Sequence, residues 1–488
     1  STKYGQMEKT MGRANININT GYAKNDWDIT AKAFFGKANR SDQPFVEYID
    51  SLENAIDLSK GGSEIWTQHV NLGAKNKNLT TRIIYDNYKT YYNHFDEDLG
   101  ENYGNYNEFR NILGEIKYYY QPTEKLTITP FLNYKFSRPY YEKDYWRNFN
   151  INRYSGAVIA NYDFNKNASL VTGLETYSDN GKCIGDTGYF YSNKASTLQI
   201  NNVAAFSEGT IKYKKINLIA GFRIENNNQY GWASAPRVGL TGVFNNFHFK
   251  TLFSGAFRSP AIGNMEVSSD IKAEKSYVSE IELGYKINDY MFVSANIFDI
   301  QISNSILYYD NGEWTPVVDW GYKNAEKAGS NGFELTLKTM HEKGYASLNY
   351  SYYTQEFRST PELYAVTTNK NSVLGLPQHK ITFNGNYSPL QNIHISPSLI
   401  VIGKKYGYNN VAENGEGIIT EYDPQYMLNL ALTYENLIKK GITIAIVAMD
   451  ILSEKPNYIQ PYNGEPYPYP GSSREIMLKL TINTEIFK

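Results

Sequence analysis

Segments of about ten residues, alternating apolar and polar side chains, recur along the whole chain. The last reads EIMLKLTINTEI: Ile476, Leu478, Leu480, Ile482 and Ile486 fall on one side, and Glu475, Lys479, Thr481, Asn483 and Glu485 on the other. Successive side chains of a strand point to opposite faces, so each such segment is a strand with one apolar and one polar face. YMLNLALTYE (426–435), ITFNGNY (381–387), ASLNYSYY (346–353) and LTITPFLNYKF (126–136) repeat the pattern, with tyrosines near the ends of the apolar rows. A soluble sheet would bury its apolar face, whereas a membrane barrel turns that face to lipid and keeps the polar one wet.

Composition and spacing decide between the two. Aromatics make up 15% of the 488 residues, with 44 tyrosines, while charged residues are 20%. No run reaches the roughly 18 apolar residues of a membrane helix; the nearest, GITIAIVAMDIL (441–452), is far too short. Only helices and closed barrels satisfy every backbone group in a bilayer, so membrane insertion here requires a closed sheet.

Short polar turns near 24–26, 75–78, 122–125, 164–167, 213–215, 245–247, 287–289, 341–344, 388–392 and 436–441 alternate with longer segments. These fall near 40–64, 94–109, 138–150, 180–196, 226–233, 258–274, 308–323, 357–375, 405–423 and 457–473. Short turns on one rim and long loops on the other mark an outer-membrane barrel. No repeat of fixed period suggests a propeller or solenoid. The expected fold is therefore all-β, a transmembrane antiparallel barrel. About 21 strands are visible from about residue 10 onward; since such barrels have even strand numbers, the full count is about 22, with one strand expected upstream.

The second half carries more specific signals. SGAFRSP (254–260), IKAEKSYVSEIELGYK (271–286), ANIFDIQISNSI (295–306) and NAEKAGSNGFELTLK (324–338) occur in that order, followed by LPQHK (376–380) and YPYPGSSREIMLKL (467–480). Together these resemble the barrel of a TonB-dependent outer-membrane receptor. The resemblance implies a bacterial outer-membrane location, partnership with the TonB complex, and a plug domain engaged by it. On that reading residues 1–488 are the barrel domain, with the plug and first strand missing from this stretch.

Candidate binding residues lie in the long loops: Tyr145 and Trp146; Tyr308, Tyr309, Trp314 and Trp320; Tyr406 and Tyr408; and Tyr462 with Tyr467. Aromatics at a barrel mouth give large contact area at small entropic cost, which suits a sugar, siderophore or corrin; capping the barrel is the plainer role. Arg258, in FRSP, could meet an anionic ligand or the plug, but satisfying carboxylates and carbonyls of the inner wall is favoured. Haem-specific members of the family this chain resembles carry a His after the FRAP-like box; none falls between 258 and 274 here, so the resemblance disfavours haem.

The six histidines are scattered and Cys183 stands alone, so no metal or other cofactor is expected. The acidic stretch Asp96, Glu97, Asp98 and Glu101 lacks the spacing of a calcium loop and reads as solvated. Residues 47–58, EYIDSLENAIDL, place Ile49, Leu52, Ile56 and Leu58 at helical spacing within a loop, suiting either a docked subunit or packing on the rim.

No nucleophile–base pair, phosphate loop or catalytic carboxylate pair is present, and a formal charge of −2 gives no general case for nucleic acid. What the family resemblance implies is a receptor importing a scarce solute: an iron chelate such as a siderophore, a cobalamin-like compound, or an oligosaccharide. The alternative is a plug-less barrel serving as scaffold in a larger outer-membrane complex, with surface lipoprotein or other outer-membrane partners. A passive porin of this girth would leak.

Overall fold

The computed structural model describes residues 1–49, 52–96, 101–142, 148–185, 188–190, 192–268, 270–310, 320–355, 358–361, 364–411, 417–459 and 468–484. Among them no helix is long and apolar enough to cross a membrane. The chain crosses with strands instead.

The wall begins with β1 (Thr2–Gln6), β2 (Met11–Lys24), β3 (Trp27–Asn39), β4 (Glu64–Asn76) and β5 (Leu79–Asp96). β6 runs as Glu101–Tyr118 and continues as Tyr120–Thr123, both pieces pairing with β7 (Leu126–Arg138). Then come β8 (Phe149–Asn165), β9 (Ala168–Cys183), β10 (Thr197–Tyr213), β11 (Ile216–Asn227), β12 (Gly231–Phe244) and β13 (Phe247–Arg258). β14 (Glu274–Lys286), β15 (Met291–Asp310), β16 (Trp320–His341), β17 (Gly344–Thr354) and β18 (His379–Leu390) follow. β19 (Ile393–Ile402), β20 (Gln425–Glu435), β21 (Ile442–Met449) and β22 (Glu475–Ile482) complete the wall. Each strand pairs antiparallel with the next, and β22 pairs with β1. The 23 hydrogen-bonded segments of the sheet, two of them halves of β6, make one closed barrel of 22 strands.

The count of 22 therefore holds, but the strand expected upstream is already in the chain as β1. Five residues long, β1 covers only the outer part of β2, from Thr2 opposite Ile16 to Gln6 opposite Met11. TKYGQ is too short to display an alternation of its own.

The apolar rows face outward. Ile297 is 66% exposed, Leu174 65% and Ile281 57%, while the alternate positions look into the lumen. The short turns of one rim reverse through residues such as Asn25, Lys77, Lys214 and Asn245, whose φ of 50–54° is left-handed. At the other rim strands run into three segments expected as loops: β5 and β6 extend to Asp96 and Glu101, β11 and β12 leave only 228–230, and β15 and β16 extend to Asp310 and Trp320. The helix expected over 47–58 is instead a hairpin, Pro44–Ile49 with Leu52–Asp57. The register sets Ile49 opposite Leu52 and Phe45 opposite Ile56, which imitates helical spacing in the sequence.

The barrel seam is fastened at its outer end by Asp42, which is buried. Its carboxylate accepts from Ser473 Oγ at 2.7 Å, Ser473 N at 3.1 Å, Lys9 N at 2.9 Å and Gln43 Nε2 at 2.8 Å. Burial pushes this carboxyl up, but the donors from Ser473, Gln43 and Lys9 outweigh it and its pKa is lowered. A lowered folded pKa contributes stability that is complete above the unfolded value, about 3.9, and is lost as pH falls through the folded value. Asp42→Asn is expected to cost about 1–3 kcal/mol at neutral pH and to flatten the acid dependence. The temperature at which the barrel loses its compact gel migration, followed from neutral pH down through about pH 3, checks both.

Candidate ligand vestibule

Alternation determines what the lumen presents. On β4 to β14 the inward positions carry ionisable side chains that pair along and across strands. His69 Nδ1 meets Asp86 at 2.5 Å, Lys117 meets Glu115 at 2.9 Å, His248 Nε2 meets Glu282 at 2.8 Å, and Lys250 meets Glu280 at 2.9 Å. From β15 to β20 amides and hydroxyls take over: Thr336–Asn349 at 3.0 Å, Asn349–Thr382 at 3.2 Å, Asn386–Ser396 at 2.9 Å and Asn429–Ser398 at 3.2 Å. The wall is polar and largely balanced in charge, as a water-filled interior requires.

The densest part lies toward the outer mouth. Arg153 forks onto Asp179, with Nε at 2.6 Å and Nη2 at 2.5 Å, and its guanidinium lies 4.2 Å from the Tyr177 ring centre. Arg223 joins Glu175 at 2.6 Å and Glu225 at 3.1 Å. Tyr230 Oη donates to Glu225 at 2.7 Å and lies 2.6 Å from Ser259 Oγ. The sequence reading missed this network. The signal was available in principle, because Arg153 and Asp179 hold inward positions on paired strands.

Above it the inner wall turns apolar and is covered. Phe149, Cys183, Leu198 and Ile200 pack with Phe190, from the segment after β9, and with Ile262 and Met265 of α1 (Ile262–Val267). Phe190 is fully buried. Ser192 N donates to Met265 O at 3.2 Å, so the segment after β9 and the one after β13 are locked together over the wall. Cys183 thus serves as a small core side chain.

Arg258 stands at the foot of α1. Its Nη2 donates to Glu274 Oε2 at 3.0 Å and Ile306 O at 3.2 Å. A carboxylate and a main-chain carbonyl thus engage its guanidinium.

The aromatic candidates occupy separate hairpins. Tyr308 meets Tyr322 edge-on at 5.6 Å, and Lys323 lies 4.7 Å from the Tyr309 ring centre, at the top of β15 and β16. Trp320 opens β16 opposite Asp310. Tyr145, Trp146, Trp314, Tyr462 and Tyr467 lie outside the described residues, as do Glu97 and Asp98.

Tyr406 and Tyr408 belong to the hairpin Lys405–Val411 with Gly417–Tyr422. Tyr406 Oη donates to Glu421 Oε2 at 2.6 Å and accepts from Asn369 at 3.3 Å. Tyr422 Oη donates to Tyr408 O at 2.9 Å, and burial pushes the Tyr422 phenol up to about 12.

The segment between β17 and β18 joins these groups. Gly375 N donates to Tyr406 O at 2.7 Å, while Tyr364 and Leu376 close a cavity of about 530 Å³ against Phe298, Ile300, Ile302 and Tyr353. That volume is in the range of small-molecule sites. Ser305 lines it too, and its buried Oγ has no hydrogen-bond partner among the described residues. In the sequence, ANIFDIQISNSI (295–306) carries a family resemblance and gives no sign of this cavity.

Comparison with known proteins agrees with this architecture. A family model described as TonB dependent receptor-like, beta-barrel, matches residues 10–448. No curated protein matches the chain. Among solved structures, a point mutant of the ferric enterobactin receptor PfeA of Pseudomonas aeruginosa is 12% identical with a TM-score of 0.73, covering 99% of this chain and 79% of its own. The ferric-catecholate import receptor Fiu of E. coli K12 is 11% identical with a TM-score of 0.73, covering 99% and 81%. The siderophore receptor PirA of Acinetobacter baumannii is 12% identical with a TM-score of 0.72, covering 99% and 79%. Identities this low establish a shared fold. With the family model spanning most of its length, the chain belongs to the TonB-dependent receptor-like β-barrel family, a transport rather than a catalytic family, and is an integral protein of the bacterial outer membrane.

Proposed function

We propose that this barrel imports a scarce, compact solute across the outer membrane, an iron chelate before a cobalamin-like compound or an oligosaccharide, with energy delivered through the TonB complex. The observation that carries this reading is the covered outer mouth. There the segment between β17 and β18 closes a partly apolar cavity of about 530 Å³ against β15 and β16, while β8 to β11 carry charge pairs on the same barrel's inner wall. Apolar walls with a few convergent polar groups suit a ligand of chelate size. Solved structures of similar fold are named for ferric catecholates and siderophores, which supports placing iron chelates first.

A plug, whether part of the same polypeptide or a separate chain, would meet the polar inner wall and be the part the TonB complex acts on. Aromatics of the outer hairpins, Tyr308, Tyr309, Tyr406 and Tyr408, would make first contact with the solute; Trp320, at the head of β16, and, by their place in the sequence, Trp314 before it and Tyr145 and Trp146 between β7 and β8 are further candidates for that contact. Arg258 has the role of holding the wall beneath them.

Uptake of a radiolabelled ferric catecholate by a deletion strain, with and without the restored gene, tests the proposal. Uptake should return with the gene and vanish when the TonB complex is disabled. Equal uptake with and without the gene, for iron chelate, cobalamin and oligosaccharide alike, would refute import. Recovery of the barrel with a stoichiometric second chain and no uptake would favour the scaffold reading.

A further inference from the structure

On the wall from β3 to β8 the lipid-facing side chains pass abruptly from apolar to basic. Phe35, Tyr85, Ile112 and Phe136 end the apolar belt, and the next outward residues on those strands are Lys37, Asn87, Arg110 and Arg138. Lys89 follows one step higher, and the register sets Lys37 and Lys89 on either side of Trp66. Arg110 stands directly opposite Arg138. Like charges opposed on one face of a sheet repel, so this pair calls for an anion.

The available partners do not fully supply one. Glu108 meets Arg110 at 2.5 Å, but Arg110 Nε is buried with no hydrogen-bond partner among the described residues. Among the described residues Arg138 donates to a neutral group, Asn150 Oδ1 at 3.1 Å, and it lies 4.8 Å from the Tyr141 ring centre. Lys37 rests 5.2 Å from the Trp66 ring centre and Lys89 4.3 Å from that of Tyr106. Among the described side chains, four cations and one carboxylate therefore sit at the level where the apolar belt ends. Directly below, a furrow of about 1200 Å³ crosses the lipid-facing surface, with Gly114 and Gly156 opening space between Ile83, Leu132 and Tyr154. On β15 the corresponding outward side of the wall instead carries an acid, Asp299, already paired with Arg358.

We propose that this face holds one lipid of the outer leaflet bearing phosphates on its headgroup and several acyl chains. The phosphates lie on Lys37, Lys89, Arg110 and Arg138, and a chain lies in the furrow. A phosphate bridging Arg110 and Arg138 accepts from both forks and removes their repulsion. The aromatics Trp66 and Tyr106 place the lysines at headgroup depth.

The test is lipid retention by the purified protein. Wild type and a Lys37→Gln/Lys89→Gln/Arg138→Gln variant are delipidated, offered bis-phosphorylated lipid A or its dephosphorylated form, and weighed by native mass spectrometry. Compact gel migration confirms folding of both. Wild type should retain about one phosphorylated lipid per chain and bind the dephosphorylated form about tenfold more weakly or worse. The variant should bind both forms equally weakly. Equal retention of the two forms by wild type, or undiminished retention by the variant, would overturn the proposal. Displacement by millimolar inorganic phosphate, with no dependence on acyl chains, would overturn the lipid assignment.

Discussion

Arginine in place of Ile297 is expected to destabilise the folded barrel by about 2–4 kcal/mol, because it puts a charge against hydrocarbon near the bilayer centre. Ile297 lies midway along the lipid-crossing part of β15, is 66% exposed, and pairs with Ile281 and Phe333, which also face out. Arginine in place of Asn384, which faces the lumen, is expected to change stability by less than about 0.5 kcal/mol. Denaturant titration of refolding into bilayers measures both. The comparison isolates the environment of a side chain, since the same group is introduced at both positions. A water-soluble sheet would give the opposite order, because its exposed face tolerates arginine.

Glu475→Ala is expected to cost about 3 kcal/mol and to weaken the seam selectively. Glu475 opens β22, is 2% exposed, and receives Arg13 Nε at 2.9 Å and Nη2 at 2.7 Å. It fits because Gly5 and Gly12 lack side chains: a Cβ at either would stand 2.1–2.2 Å from its Oε1. Removal of the carboxylate leaves the guanidinium half-enclosed without its counter-ion, and its partial access to water keeps the loss near the low end for buried pairs. The expected readouts are a lower temperature for loss of compact gel migration and faster proteolysis between β22 and β2. Gly12→Val should do the same by displacing Glu475, and its failure to do so would contradict the packing described.

The sequence revealed the barrel because lipid imposes a period of two on every crossing segment. That rule reached as far as the lipid does. Above the belt both faces of a strand are wet, so NHFD at the end of β5 and ENYGNY at the start of β6 lose their alternation and resemble a loop. β1 was missed for its length. The hairpin at 44–57 was taken for a helix because opposed pairs such as Ile49 and Leu52 fall three residues apart.

The vestibule was less legible. Its aromatics could be named, but their partners come from distant segments, as Asn369 does for Tyr406. Glu475, visible in the first alternation as one polar residue among several, becomes a seam residue only once Gly5, Gly12 and Arg13 are beside it.

The most direct test of the account places spin labels singly at Ser279, Glu280, Ile281, Glu282 and Leu283 of β14 in bilayer-inserted protein. Molecular oxygen, which concentrates in lipid, should relax labels at 279, 281 and 283, and a water-soluble nickel chelate those at 280 and 282. Labels at 281 and 283 shielded from oxygen, or a reversed alternation, would contradict a barrel that turns its apolar rows to lipid.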